Sequence, residues 1–177
     1  SRAEILEKRR VFGVELSVVN KREHSYIPKI MTDLITYIEV HALDVEGIFR
    51  LAAGVPGLNK LKRLYDGGQV IDLDRLIQQR EIDIHVVACL LKLYLRELPT
   101  PVVPYELYDS FLAVMETEDD NARVQEIARL LQQMPHHNIL LLDRILQMLT
   151  TVAQHSKVNL MHESNLSIVF GVNLLKS

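Results

Sequence analysis

Apolar residues recur at intervals of three and four along almost the whole chain, and this spacing constrains the fold more than any other feature. Between Ile27 and Ile38 they form a broad stripe along one side of a helix. Pro28 stands near the start of that helix, where its missing N–H costs nothing. Strand-like alternation is scarce. The pattern predicts an all-α protein.

Glycine and proline separate these apolar stripes and set the expected number of helices. The pair Gly67-Gly68 ends one helix and Pro99 closes another, while residues 70–79 stay ambiguous. A chain of 177 residues suits one domain. We therefore expect a single-domain bundle of about seven to nine helices, with residues 1–10 as a linker or leading segment and residues 11–177 as the domain. The clearest helices are predicted from about Ile27 to a point before Gly47, and over about 56–66, 84–98, 104–116, 120–134, 138–155 and 163–175.

The charge balance and the single cysteine exclude several classes of protein. The chain has 20 Lys and Arg against 23 Asp and Glu, so no bulk attraction to nucleic acid or to an anionic membrane is expected. Cys89 stands alone, which excludes an internal disulfide and suits a reducing compartment. No apolar run reaches the length of a transmembrane helix. We expect a cytoplasmic, monomeric protein without direct membrane contact, which regions outside this chain could recruit to membranes.

The usual enzyme signatures are missing from the sequence. The seven histidines show no HExxH spacing, and no metal site is expected. His85 precedes Cys89 by four residues, but an inert thiol is the favoured interpretation. Gly54, Gly57 and Lys60 do not follow the order of a phosphate-binding loop. No self-contained active site is predicted, and whether the chain counts as an enzyme stays open.

Arg50 stands between Phe49 and Leu51 in the stretch GIFRLAAGVPG, where a core element has no use for a guanidinium. One interpretation is an ion pair with Asp44 or Glu46, since most arginines near acids pair on the surface. The other is that Arg50 is presented to a partner outside this chain.

Two further polar features admit a structural and a functional interpretation. On the helix 84–98, a second stripe follows one flank of the apolar face, and it is either a solvated face or a positive patch for an acidic or phosphate-bearing partner. Asn173 falls in the apolar face of the last helix, where its amide needs either nearby backbone or a docking protein. The second stripe consists of His85, Cys89, Lys92 and Arg96.

Four segments, in this order along the chain, resemble the Rho GTPase-activating protein (RhoGAP) domain, also called the breakpoint-cluster-region homology domain. They are FGVEL at 12–16, VEGIFRLAAG at 45–54, LLKLYLRELPTPVV at 90–103 and NLSIVFGVNLL at 165–175. The resemblance implies an all-helical domain that binds the GTP-bound form of a Rho-family small GTPase and accelerates hydrolysis. GTP and magnesium would be carried by the partner, so no cofactor is expected here.

The resemblance also implies residue roles. Arg50 would be the arginine finger that enters the partner's nucleotide site, while Lys92 and Asn173 would contact the partner. Arg96 would brace the finger loop, which Gly47 and Phe49 would support. A non-catalytic binding module with the same fold, or a purely structural scaffold, remains the alternative.

The chain departs from the family pattern at two places. Val172 stands where the family commonly has proline. The sequence also stops at Ser177, whereas the family usually continues through another helix. We therefore expect a C-terminally short domain in which the last family helix is lacking and the docking surface is incomplete.

Overall fold

The computed structural model describes residues 1–175, and all regular secondary structure in that range is helical, which confirms the all-α prediction. Residues 176 and 177 of the predicted domain lie outside the described part. The helices are α1 Arg2–Arg9, α2 Leu16–Glu23, α3 Lys29–His41, α4 Val55–Asp66, α5 Leu73–Gln78, α6 Ile84–Glu97, α7 Tyr105–Met115, α8 Asp120–Leu131, α9 His136–Gln154, α10 Ser156–Asn159 and α11 Glu163–Leu174.

Residues 1–175 thus contain eleven helices, more than the seven to nine expected. The additional ones are short: α1, α2, α5 and α10 have eight residues or fewer. So few residues hold too few apolar positions for the helical period to stand out. The expected leading segment includes α1, which has a capping box between Ser1 and Glu4 but buries no residue.

Helix α6 lies at the centre of the main core and packs against α3, α4 and α11. The apolar stripe predicted for this helix is buried except at Ile84, which is half-buried. Its members are Ile84, Val87, Ala88, Leu91, Leu95 and Leu98. Helix α6 also buries residues outside that stripe, because neighbouring helices cover more of its circumference than one stripe requires. These additional residues are Val86, Leu90 and Tyr94.

Helices α7 and α8 pack chiefly against each other and form a hairpin with a second, smaller core. Its buried residues are Leu107, Val114, Leu130 and Met134. Leu142 of α9 packs against both cores and so connects the hairpin to the main body.

None of the helices within residues 1–175 combines the length and the apolar character needed to cross a membrane.

Candidate functional site

The candidate site is built around the Arg50 loop, which we define as residues 42–54 between α3 and α4. Successive tight turns fold it, since the N–H groups of Ile48 and Arg50 donate to the carbonyl groups of Val45 and Gly47 at 3.2 and 2.9 Å. Ile48 and Phe49 are fully buried. Arg50, the next residue, is exposed. The loop therefore anchors its apolar residues and turns one cation outward.

Phe49 is the main anchor of this loop. Its ring meets the ring of Phe170 on α11 edge to face, with centroids 4.9 Å apart. The backbone of Phe49 has φ +69°, a left-handed conformation that costs a non-glycine residue about 1–2 kcal/mol. Burial of the aromatic ring offsets that cost. The strained backbone is thus held by packing, and it fixes the direction in which the following residue leaves the core.

Gly47 could not be replaced by a larger residue without strain. Its φ is also +69°, and a Cβ atom at this position would lie 2.6 Å from Cγ of Leu51. The N–H of Gly47 donates to the carbonyl oxygen of Asn159 at 2.8 Å. The predicted supporting positions Gly47 and Phe49 therefore both lie where the loop is fixed to other elements.

Asn159, at the end of α10, holds the start of the loop and was not recognised from the sequence. Its fully buried amide donates to the carbonyl groups of Leu43 and Val152, both at 2.8 Å. Its Oδ1 accepts from the N–H of Met161 at 2.7 Å. The sequence contained a signal for it, because an asparagine among the apolar residues of VNLM indicates a buried amide that needs partners. Asn173 shows the same signal.

The second stripe of α6 lies beneath the other end of the loop. Lys92 Nζ donates to the carbonyl oxygen of Phe49. Cys89 Sγ donates to the carbonyl oxygen of Leu51 at 3.5 Å. Burial lowers the pKa of Lys92, and the positive charge of Arg96 adds to this effect. Part of the expected positive patch is thus a support for the loop.

Arg96 occupies the exposed end of the same stripe. Its side chain makes no hydrogen bond or ion pair with any other residue in the range 1–175, whereas Lys92 contacts the loop directly. Arg96 is thus an exposed cation beside the half-buried Lys92.

The guanidinium of Arg50 has no hydrogen bond or ion pair within the described residues. Asp44 pairs instead with His155, with Nδ1 and Oδ1 2.9 Å apart, and Glu46 makes no ion pair in that part of the chain. The internal ion pair considered for Arg50 is therefore not formed.

Asn173 is buried in α11, with only 3% of its surface exposed. Its Nδ2 donates to the carbonyl of Val169 at 2.7 Å, whereas its Oδ1 has no partner in the described structure. The adjacent Val172 is 69% exposed. The helix backbone thus satisfies the donor of this amide, while its acceptor is buried and unpaired in the described structure.

The site is an exposed surface that offers a cation to a partner, and it is not an enclosed pocket. One exposed guanidinium follows directly on two fully buried residues, and such a group can bind an anion supplied from outside. Among residues 1–175, no three His, Cys, Asp or Glu side chains come together in a way that could hold a metal ion.

Comparisons with known proteins identify the family. The RhoGAP domain matches residues 28–177. A Rho GTPase-activating protein of Dictyostelium discoideum, gacJJ, is 42% identical over 170 residues, which cover 95% of this chain and 19% of that protein. Rho GTPase-activating protein 15 of Mus musculus is 31% identical over 97% of this chain and 35% of its own length. The chain therefore spans about a fifth to a third of these relatives.

Solved structures agree with the sequence comparison. The crystal structure of human Rho GTPase activating protein 15 has a TM-score of 0.89 and 34% identity, and the match covers 96% of this chain and 79% of that one. The BH domain from GRAF, the GTPase regulator associated with focal adhesion kinase, has a TM-score of 0.74 and 31% identity over 84% and 78% of the two chains. The chain belongs to the RhoGAP domain family.

Proposed function

We propose that this chain is a GTPase-activating domain that binds the GTP-bound form of a Rho-family small GTPase and stimulates hydrolysis. The relatives are named for that activity. The observation that carries the proposal is the exposed guanidinium of Arg50, which has no partner among the described residues and follows directly on two fully buried ones.

The chemistry of phosphoryl transfer explains why an arginine would be held in this way. Negative charge accumulates on the phosphoryl oxygens in the transition state, and fixed positive charge aimed at them lowers the barrier. Arginine offers a permanent charge and a planar fork of donors, whereas lysine offers only a point charge. An arginine supplied in trans is worth about 10³–10⁵ in rate. Loose positioning would forfeit much of that gain, so the buried anchors at Ile48 and Phe49 serve catalysis as well as folding.

The neighbouring polar residues would complete the docking surface. In this proposal Lys92 holds the carbonyl of Phe49 with one of its donors and turns its remaining donors to the partner. Arg96, exposed on the same stripe of α6, would add positive charge at the rim of the interface. The Oδ1 of Asn173, which is buried and unpaired among the described residues, would accept a hydrogen bond from the partner once docking exposes it. GTP, magnesium and the residue that orients the attacking water would come from the GTPase.

Single-turnover GTP hydrolysis by a panel of Rho- and Rac-type GTPases, with and without this chain, tests the proposal. We expect acceleration by the unmodified chain and a loss of at least about two orders of magnitude for Arg50→Ala, because the interaction is made only in the transition state. Binding to the GTP-loaded partner should be largely kept.

Two controls accompany this experiment. Arg63→Ala removes an exposed arginine of α4 that makes no ion pair within the described residues, and it should leave the rate unchanged. Arg50→Lys keeps the charge but not the fork of donors, and it should not restore the rate. Equal acceleration by Arg50→Ala would refute the finger assignment. Binding without any acceleration would show instead a non-catalytic module.

A further inference from the structure

Helix α7 is apolar around more of its circumference than its own fold buries. Leu107, Phe111 and Val114 face the small core that α7 shares with α8. Beside them lies a second apolar sector, about 80° wide at 100° per residue, which the described structure leaves largely uncovered. This sector, the α7 strip, consists of Tyr105 (52% exposed), Leu112 (46%), Met115 (70%) and the half-buried Tyr108.

The remaining side of α7 is acidic. The strip is bordered on one side by the core-facing residues and on its other side by an acidic sector, which consists of Glu106, Asp109 and Glu116. Apolar and acidic residues are thus segregated into adjacent sectors of one exposed surface. Scattered exposed apolar residues need no explanation, whereas a continuous strip with a charged border is typical of an interaction site.

The charge of the hairpin differs in sign from that of the rest of the chain. Residues 105–131 contain seven acidic residues against Arg123 and Arg129, a net charge of −5. The rest of the chain has 23 − 7 = 16 acidic and 20 − 2 = 18 basic residues, a net charge of +2. Both hairpin arginines already pair with hairpin acids, Arg123 with Asp120 and Arg129 with Glu126.

We propose that the α7 strip docks a basic amphipathic helix of another protein, with its apolar face on the strip and its lysines or arginines against the acidic border. The strip runs straight along α7 for about 15 Å, the length of ten helical residues, so a partner helix can lie along it. Met115 and Leu112 offer adaptable apolar contact, and the two tyrosines offer contact area with a polar end.

The same charge argues against other occupants. A second copy of this chain would bring one hairpin of net charge −5 against another, and like charges across an interface disfavour association. Nucleic acids and anionic membranes would be repelled for the same reason. A partner that is both cationic and apolar would make favourable contacts with the α7 strip and with its acidic border.

A peptide-binding experiment tests this inference with the full chain. The probe is a fluorescent peptide of about 16 residues with leucine at positions i, i+3, i+4 and i+7 and lysine elsewhere, and binding is followed by anisotropy at low and high salt. We expect saturable binding that weakens with salt. A peptide of the same composition in scrambled order, without an apolar face, should bind about tenfold more weakly.

Variants locate the peptide on the surface. Leu112→Gln combined with Met115→Gln should weaken binding about tenfold, since a few central apolar contacts dominate such interfaces. Asp109→Asn with Glu116→Gln should weaken binding less and reduce its salt dependence. Val70→Gln, at an apolar side chain that is 93% exposed outside the hairpin, is the matched control and should change nothing. Arg50→Ala should also bind normally, which separates this inference from the proposed GTPase-activating role.

Four outcomes would overturn the inference. The first three are equal binding of the ordered and scrambled peptides, an unchanged affinity of the Leu112/Met115 variant, and self-association of the chain that the same variant abolishes. Binding of the chain to neutral lipid vesicles through the strip would overturn it as well.

Discussion

The Arg50 loop and the α7–α8 hairpin differ in how their backbone is held in position. The loop has no regular secondary structure from residue 42 to residue 54, yet Ile48 and Phe49 are fully buried and several backbone groups are tied to other elements. The hairpin is formed by two regular helices, yet its own core has four buried residues. The irregular loop is thus held by hydrogen bonds to other elements, whereas the hairpin is held mainly by contact between its own two helices.

The difference shows what positions a functional group. A helix satisfies its own backbone and can stay whole while it packs loosely. A loop must find partners elsewhere for its buried backbone groups, and those partners hold it in place. The loop can therefore hold a side chain in one fixed direction. The exposed α7 strip can adjust its side chains to a partner. The following substitutions test this contrast from the largest expected effect to the smallest.

Replacing Phe49 by alanine should destabilise the fold most. Loss of the buried ring against Phe170 is expected to lower the free energy of unfolding by about 3–5 kcal/mol, measured by urea denaturation. Phe111→Ala in the hairpin is the matched control and should cost less than half as much, because that ring is only partly buried. Equal losses at the two sites would remove the contrast.

Asn159→Ala should be the next largest change. It removes the hydrogen bonds of Asn159 to the carbonyl of Leu43, the carbonyl of Val152 and the N–H of Met161, and we expect a loss of about 2–4 kcal/mol in the free energy of unfolding. Asn138→Ala, which removes one hydrogen bond to the carbonyl of Val102 next to the hairpin, should cost about 1–2 kcal/mol. Thermal or urea unfolding of both variants decides the order, and a larger loss for Asn138 would reverse the comparison.

Gly47→Ala should lower stability by about 1–3 kcal/mol, because it combines a left-handed backbone with a contact of the new Cβ against Leu51. Gly171→Ala is the control, since a Cβ there meets nothing within 4 Å inside the regular helix α11. That change should raise stability by about 0.5–1 kcal/mol. If both substitutions shift the unfolding midpoint in the same direction, backbone conformation is not what fixes the loop.

The smallest effect concerns Lys92 and depends on pH. Burial lowers the pKa of Lys92 in the folded chain below its ordinary value of about 10.4, so the folded state releases this proton at lower pH than the unfolded state does. The penalty for burying the charge is therefore fully present below the folded pKa and is relieved as pH rises towards the ordinary value. Relative to Lys92→Met, the unmodified chain should become more stable as pH rises through this range. Urea unfolding of both proteins at a series of alkaline pH values measures the difference, and a falling difference would contradict the burial of Lys92 beside the loop.

The sequence predicted the long helices well and the short ones poorly. Helix α6 was expected over 84–98 and is Ile84–Glu97, because its apolar period and Pro99 are both unmistakable. Helix α3 ends at His41, and the sequence predicted only that it would end before Gly47. The residues in between are apolar enough to continue the pattern, yet Asn159 captures the carbonyl of Leu43 and the backbone turns instead.

The sequence predicted individual residues of the candidate site better than it predicted the contacts between them. The burial of Phe49 next to an exposed Arg50 follows from the local sequence and is observed. The contact of Lys92 with the Phe49 carbonyl spans 43 residues, and that of Asn159 with Leu43 spans 116. No local pattern contains such pairs, since they exist only after α6 and α10 have packed beside the loop.

By itself the sequence determined that this chain would be helical, where its long helices would stop, and that an arginine would follow two residues destined for the core. Periodicity, proline and glycine act over a few residues, and their effects can be predicted from local sequence. The tertiary structure alone decided that Arg50 has no internal partner among the described residues, that Lys92 and Asn159 hold its loop, and that one side of α7 stays uncovered. These outcomes depend on which elements meet in space, because a buried polar group takes whichever partner the packing brings within reach.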